Sequence, residues 1–322
     1  MLVWRSLDHI PPDFGPSVVT IGNFDGVHRG HRYVLQRARE VAEASVPVVA
    51  VTFDPHPMQI LLPERAPMRL TTIEQRVDLL GDAGADHVLV LPFTRELASW
   101  QPEEFVRRVL AEGLHASAVV VGENFRFGSK AAGNTAVLGT LGEQYGFATH
   151  ALSLDGAEHP WSSSYVRQCL LEGDVAGAAV ALGRPHDLSG VVVEGAHRGR
   201  ELGFPTANVP ASGLTAVPAD GVYAGWLRVL PPSTVADGKP MPAAISVGTN
   251  PMFEDADRWV ESYVLDRDDL ELYGVRVEVS FVDRIRGQLR LDSVQALIER
   301  MGIDVEEVRA QLDQADQLDR ER

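Results

Sequence analysis

The sequence predicts an α/β chain of two domains. Residues 1–183 read as a parallel sheet covered by helices on both faces, and residues 184–322 as an antiparallel barrel or sandwich ending in a helix. Three observations carry this expectation. The chain has 322 residues, more than twice the ~150 that serves as a prior for one domain. Its first part alternates short apolar runs with helical patterns. After Gly183-Arg184-Pro185 the β-rich runs follow one another directly, punctuated by Gly and Pro.

The elements follow in order. Val18-Val19-Thr20-Ile21 reads as a buried strand, and 31–44 as an amphipathic helix. Val48-Val49-Ala50-Val51-Thr52-Phe53 is the next strand, 73–80 a helix, Val88-Leu89-Val90-Leu91 a strand, 102–110 a helix and Val119-Val120-Val121 a strand. Strands alternating with helices imply crossover units, and their lack of polar alternation implies cover on both faces. Further on, 188–193, 222–229, 243–247, 260–265 and 275–282 read as short strands without long helices between them, as in a barrel or sandwich. From Asp292-Ser293, which could cap a helix, Val294, Leu297, Ile298, Met301, Val305, Val308 and Leu312 keep near-helical spacing; the polar tail beyond is expected to fray.

Composition excludes several classes. With 29 basic and 45 acidic residues the net charge is −16, which disfavours nucleic acid and anionic membranes as partners. Lys130 and Lys239 are the two lysines, and neither lies in a Gly-Lys-Ser/Thr context, so no Walker A loop is available. The single Cys169 leaves no intramolecular disulfide or cysteine cage for zinc. No apolar run approaches the ~18 residues of a membrane span. The expectation is a cytoplasmic protein.

The sharpest local signal is Gly22-Asn23-Phe24-Asp25-Gly26-Val27-His28-Arg29-Gly30-His31, directly after the first expected strand. Glycines allow close backbone approach, and a helix start offers unpaired N–H groups and its positive dipole end to an anion. His28 and His31 face the same side of that terminus and could donate to phosphate oxygens. A metal pair completed by His56 is a weaker reading. Ser162-Ser163-Ser164-Tyr165-Val166-Arg167 places hydroxyls before a helix and an arginine within it; alone it reads as readily as an ordinary cap. Phe125 and Phe127 alone would be core. Gly199-Arg200-Glu201-Leu202-Gly203-Phe204-Pro205-Thr206-Ala207-Asn208 joins a glycine turn to two hard oxygen donors, suited to phosphate with Mg²⁺ or to a plain surface turn.

Together these motifs resemble the prokaryotic bifunctional FAD synthetases, which combine riboflavin kinase and FMN adenylyltransferase. The first segment, with Thr52-Phe53-Asp54-Pro55-His56-Pro57, Gly122-Glu123-Asn124-Phe125-Arg126-Phe127-Gly128 and the serine motif, is similar to the family's Rossmann-like nucleotidylyltransferase domain. Ser164 stands where threonine is usual, and Trp161 where isoleucine is. The 199–208 segment, Pro218-Ala219-Asp220-Gly221-Val222-Tyr223-Ala224-Gly225, Ser246-Val247-Gly248-Thr249-Asn250-Pro251-Met252-Phe253 and Val260-Glu261-Ser262-Tyr263-Val264-Leu265-Asp266 resemble its β-barrel riboflavin kinase domain. The resemblance implies adenylyltransferase work in 1–183 and kinase work in 184–322, with ATP as co-substrate, Mg²⁺ as cofactor, and riboflavin, FMN and FAD as substrates or products. It implies His28, His31, Arg167 and Glu261 as catalytic residues, Glu261 being the base toward the riboflavin 5′-hydroxyl. ATP would contact Gly22, Phe24, Asp25, Gly30, Ser163, Ser164, Gly199, Gly203, Thr206 and Asn208, the last two also holding the metal. Flavin would contact His56, Asn124, Phe127 and Arg286, near which Gln288, Arg290 and Leu291 depart from the family's usual residues.

Overall fold

The computed structural model describes residues 1–153, 161–195, 203–211, 214–233, 235–249, 258–290 and 292–320. The chain divides into two compact units, Met1–Pro67 with Thr72–Ser162, and Met68–Thr71 with Ser163–Arg322.

The first unit holds β1 (Leu2–Trp4), β2 (Ser17–Ile21), β3 (Val48–Asp54), β4 (His87–Pro92), β5 (Ala116–Gly122) and β6 (Ala148–Leu152). They form one sheet in the order β1-β4-β3-β2-β5-β6, and every pairing is parallel. Its helices are α1 (Arg29–Val41), α2 (Pro57–Leu61), α3 (Ile73–Asp82), α4 (Arg95–Ser99), α5 (Pro102–Phe105) and α6 (Thr135–Tyr145). Because strand side chains alternate, each strand feeds two cores. Val19, Val51, Leu89 and Val119 meet Phe105, Val109, Leu110 and Leu138 on one face. Val18, Ala50, Val88 and Val120 meet Val34, Leu35, Ala38, Val77 and Leu80, from α1 and α3, on the other. Two-sided burial explains why these strands read as unbroken apolar runs. The helix expected at 102–110 begins as α5 but continues as a wider π-helix, Val106–Gly113, with Leu114 N–H donating to Val109 O at 3.0 Å.

The second unit contains β7 (His186–Val191), β8 (Thr206–Ala211), β9 (Gly221–Val229), β10 (Met241–Thr249), β11 (Arg258–Val264) and β12 (Arg276–Gly287), with α7 (Ser163–Glu172), α8 (Val175–Leu182) and α9 (Val294–Arg320). The sheet order is β7-β12-β9-β10-β11-β8, and every pairing is antiparallel. Val193 N–H donates to Asn208 O at 2.9 Å, so the two edge strands nearly close the sheet into a barrel rather than a sandwich. Gly190 permits that closure, because a Cβ there would collide with the Val209 side chain. Tyr223, Leu227, Ile245, Val260, Val279 and Phe281 are buried on alternate strand positions. α9 covers the outer face, with Val308 and Leu312 against Ala224 and Leu265.

Two more features differ from expectation. The stretch read as a turn into Asn208 becomes β8 from Thr206 onward, because Ala207, Val209 and Ala211 bury one face. α9 runs to Arg320 instead of fraying after Leu312, and Ser293 Oγ caps it by accepting from Ala296 N–H at 3.1 Å. A short strap from the first half of the sequence, Met68–Thr71, belongs to this second unit. Arg69 N–H donates to Leu214 O at 2.7 Å, and Ala216 N–H to Arg69 O at 2.8 Å.

Candidate active sites

In the first unit the chain reverses its direction across the sheet between the β4 side and the β5 side, so β2 and β5 flank the switch point where open α/β sheets bind ligands. The loop leaving β2 is tightly built. Gly22 N–H donates to Val51 O at 3.1 Å. Phe24 and Val27 adopt positive φ of 49° and 40°, alongside Gly26 at 82°. Such a conformation is an outlier for a β-branched residue. It is held because Phe24 and Val27 are 2% and 0% exposed in the core beneath α1.

That loop delivers His28 to the N-cap position of α1 and His31 to its first turn. The rings stack with centroids 3.6 Å apart and planes 24° apart, and Phe24 meets His31 edge-on at 5.1 Å. Gly30 makes room for the stack, since a Cβ would lie 3.1 Å from the His28 ring and 3.3 Å from Trp161 O. Burial first, then His28 and the Arg76 cation, hold His31 well below the ordinary histidine pKa, so it is neutral at pH 7. Two rings and the first N–H groups of a helix thus converge where an anion is favoured.

Asp25 is buried below the loop, its Oδ1 3.6 Å from Arg76 Nη2. Sequence reasoning missed Arg76; the available signal was an arginine at the core-facing spacing of Ile73, Val77 and Leu80. The structure therefore gathers Gly22, Phe24, Asp25, His28, Gly30 and His31 in one loop and the first turn of α1. Asn124 is exposed on the loop after β5, while Phe127 stacks on Phe125 at 5.4 Å and packs into the core. His56 caps α2, its Nδ1 accepting from Met58 N–H at 3.2 Å. Ser163 and Ser164 open α7 in the second unit, where Arg167 Nε donates to Met68 O at 2.6 Å.

The second site lies on the outer face of the barrel. Register pairs Asn208 with Glu261, Glu261 with Ser246, Ser246 with Val222, and Val222 with Arg286. Directly opposed residues share a face, so one rung across five strands carries three of the expected site residues. Thr206 is two positions from Asn208 and therefore on the same side. A cavity of about 270 Å³ opens over this rung, lined by Thr206, Glu261, Tyr263, Arg286, Leu297 and Met301, among others. Burial pushes the Glu261 carboxyl above the ordinary value.

Arg286 is fixed by Asp304 of α9, with Nε–Oδ1 at 2.9 Å and Nη2–Oδ2 at 2.6 Å. Arg300 Nε reaches the same carboxylate at 2.8 Å. Asp304 gave no signal in the sequence, and Ser246 entered only as part of a family motif, without a role. Gly203, at φ 87°, turns the chain into β8; Gly199 lies outside the described residues.

The donor set fits a hard divalent cation. Asn208 Nδ2 donates to Thr206 O at 3.2 Å, and its Oδ1 is an amide oxygen of the kind a metal accepts. The Thr206 hydroxyl and Glu261 carboxylate face the same side, all oxygens of the type Mg²⁺ prefers. Gly195 forms the wall of this cradle, because a Cβ there would come within 2.6 Å of Asn208 Nδ2.

Paired histidines at a helix N-terminus on a parallel sheet, followed by a barrel bearing hard oxygens and a half-buried carboxylate, are the equipment of a tandem phosphate-transferring enzyme. Residues 10–164 match the family model described as FAD synthetase, and residues 182–312 the one described as riboflavin kinase. The bifunctional riboflavin kinase/FMN adenylyltransferase of Escherichia coli K12 is 36% identical over 290 residues, covering 88% of this chain and 90% of the relative. That of Pseudomonas fluorescens is 37% identical over 315 residues, 96% and 97% of the two chains. A solved structure described as a macrolide-efflux protein from Streptococcus pneumoniae shares the fold at TM-score 0.82 and 29% identity, over 96% and 98% of the two chains. The chain belongs to the bifunctional riboflavin kinase/FMN adenylyltransferase family.

Proposed function

We propose that this chain makes FAD in two ATP-dependent steps, each in its own module. The second module phosphorylates riboflavin: the 5′-hydroxyl attacks the γ-phosphate of ATP, its proton passes to Glu261, and FMN and ADP form. The first module adenylylates FMN: a phosphate oxygen of FMN attacks the α-phosphate of ATP, and pyrophosphate leaves. Residue 183 is the proposed functional boundary, supported by family matches that end at 164 and resume at 182.

The observation that carries the kinase roles is the rung running from Asn208 through Glu261 to Arg286, with Thr206, Glu261 and Arg286 lining one cavity. A carboxylate raised by burial and facing a pocket suits a general base. Thr206 and Asn208 would hold Mg²⁺, which when bound supplies charge neutralisation to the ATP phosphates. Tyr263, Leu297 and Met301 offer apolar surface for a flavin ring, and Arg286 a fixed cation at its edge. In the other module, the His28 and His31 rings and the α1 N-terminus would orient the triphosphate and stabilise charge as it develops. Ser163, Ser164 and Arg167 keep the phosphate-contacting role that the family resemblance implies. His56, Asn124 and Phe127 keep the flavin role implied in the same way. Phosphate transfers rest on positioning and electrostatics, so no covalent enzyme intermediate is invoked.

The test supplies riboflavin, ATP and Mg²⁺ to the purified full chain and separates flavins by chromatography. FMN appearing first and FAD later is the expected result; flavin binding without turnover would refute the assignment.

A further inference from the structure

Arg76 lies on α3 among Ile73, Val77 and Leu80, yet it is charged and only 2% exposed. A buried guanidinium persists only when its donors are well placed. Here Nη1 donates to Phe53 O at 3.1 Å and to Thr52 Oγ1 at 3.4 Å, both near the end of β3. Nη2 stands 3.6 Å from Asp25 Oδ1 in the strained loop. Thr52 Oγ1 in turn donates to Asn23 O at 3.0 Å. One planar fork thus grips the strand end directly and the loop by two routes. The single ammonium of lysine could not span this geometry in the same way.

We propose that Arg76 is a positioning residue for adenylyl transfer: it locks the 23–28 turn onto the end of β3 and stands as a fixed buried cation beside the His28–His31 stack. The inference rests on reading the first module as the adenylyltransferase. Its physical content is twofold. Phe24 and Val27 hold their left-handed conformations only while the loop is seated, and Arg76 supplies the polar half of that seat. The groups facing His31 are His28 at the N-cap of α1, Phe24 from the loop, and Arg76 from α3, which in turn is paired with Asp25. Burial first, then the His28 ring and the Arg76 cation, keep the His31 ring neutral, so it enters the reaction as a hydrogen-bond donor of constant charge.

The experiment uses full-length Arg76→Gln and Arg76→Lys, assayed for FAD formation from added FMN and ATP across pH 5–9. Riboflavin phosphorylation by the same preparations reports on the integrity of the chain. Arg76→Gln is expected to lower kcat for FAD formation about 100-fold while phosphorylation stays near wild type. Loss of the cation should also move the acid limb of the FAD-forming profile toward neutral pH. Arg76→Lys should lower kcat by less and leave that limb in place, because charge is kept and the fork is lost. Wild-type kcat in either variant overturns the inference, as does an acid limb unmoved in Arg76→Gln. If the glutamine variant does not fold, the lysine variant decides alone, by reduced kcat at an unmoved limb. A wild-type chain that forms no FAD would instead overturn the reading of the module itself.

Discussion

Replacing Gly30 with alanine tests the histidine stack by the smallest possible perturbation. In the first turn of α1 an alanine is favoured over glycine by about 1 kcal/mol of helix propensity. Against that, the new Cβ would lie 3.1 Å from both Cε1 and Nδ1 of His28, and 3.3 Å from Trp161 O, where ordinary contact begins at 3.4 Å. The ring must therefore give by a few tenths of an ångström. It has little freedom, because His31 already sits 3.6 Å away on the stacked side and His28 is only 6% exposed. Overpacking of this kind costs roughly 1–3 kcal/mol, so the net change in stability should stay within about 2 kcal/mol. Catalysis should suffer more, since a shift of a few tenths of an ångström uses up most of the ~0.5 Å within which productive geometry is held. FAD formation from FMN is expected to fall ~10- to 100-fold, with riboflavin phosphorylation unchanged. The assay is initial-rate chromatography of both reactions on one preparation, with a thermal melt alongside. Wild-type FAD formation in a folded Gly30→Ala chain would refute the claim that this ring geometry matters.

Glu261→Gln should reduce riboflavin phosphorylation by ~10²–10⁴ and spare FAD synthesis from FMN; equal loss of both would remove the base from Glu261. Because burial raises the carboxyl of Glu261, kinase activity should fall, as pH drops, at a higher pH than an ordinary glutamate would set, and a pH–rate profile reads this. Gly225→Ala places a Cβ against Ser280 O and Ile245 Cδ1 in the barrel wall, and should cost about 1–3 kcal/mol in a urea melt. Asp187, raised from 3.8 to about 6 chiefly by burial, binds its proton more tightly folded than unfolded. Stability should therefore fall as pH rises from about 4 to 6. Asp187→Asn should flatten that fall in melts run across the interval, since its side-chain oxygen can still accept from Ser280 Oγ, now 2.5 Å from Asp187 Oδ1.

The strands of both units were legible because their burial is regular: two-sided in β2 to β5, one face at a time in the barrel. Elements without such a pattern were not. β1 is three residues with one buried position, too short to carry a period. β8 was masked by Pro205 and by the motif on its outer face, which drew attention to turn chemistry rather than to Ala207, Val209 and Ala211 beneath. The histidine loop was legible as a ligand site, but its strain was not, since Phe24 and Val27 at positive φ contradict local preference and depend on tertiary burial. Arg76 and Asp304 were invisible for a related reason: their partners Asp25 and Arg286 are 51 and 18 residues away in sequence, and only the fold brings them together.

The strap at Met68–Thr71 bears on how these halves can be inherited or engineered. A fragment starting at Ser163 would carry every strand of the barrel yet lack the strand-like partner of Leu214 and Ala216, and Arg167 would lose the Met68 carbonyl that anchors it. No single cut in the chain therefore releases the second unit whole. Gene fission or domain transplantation would have to supply those four residues again, as a grafted segment or a separate peptide.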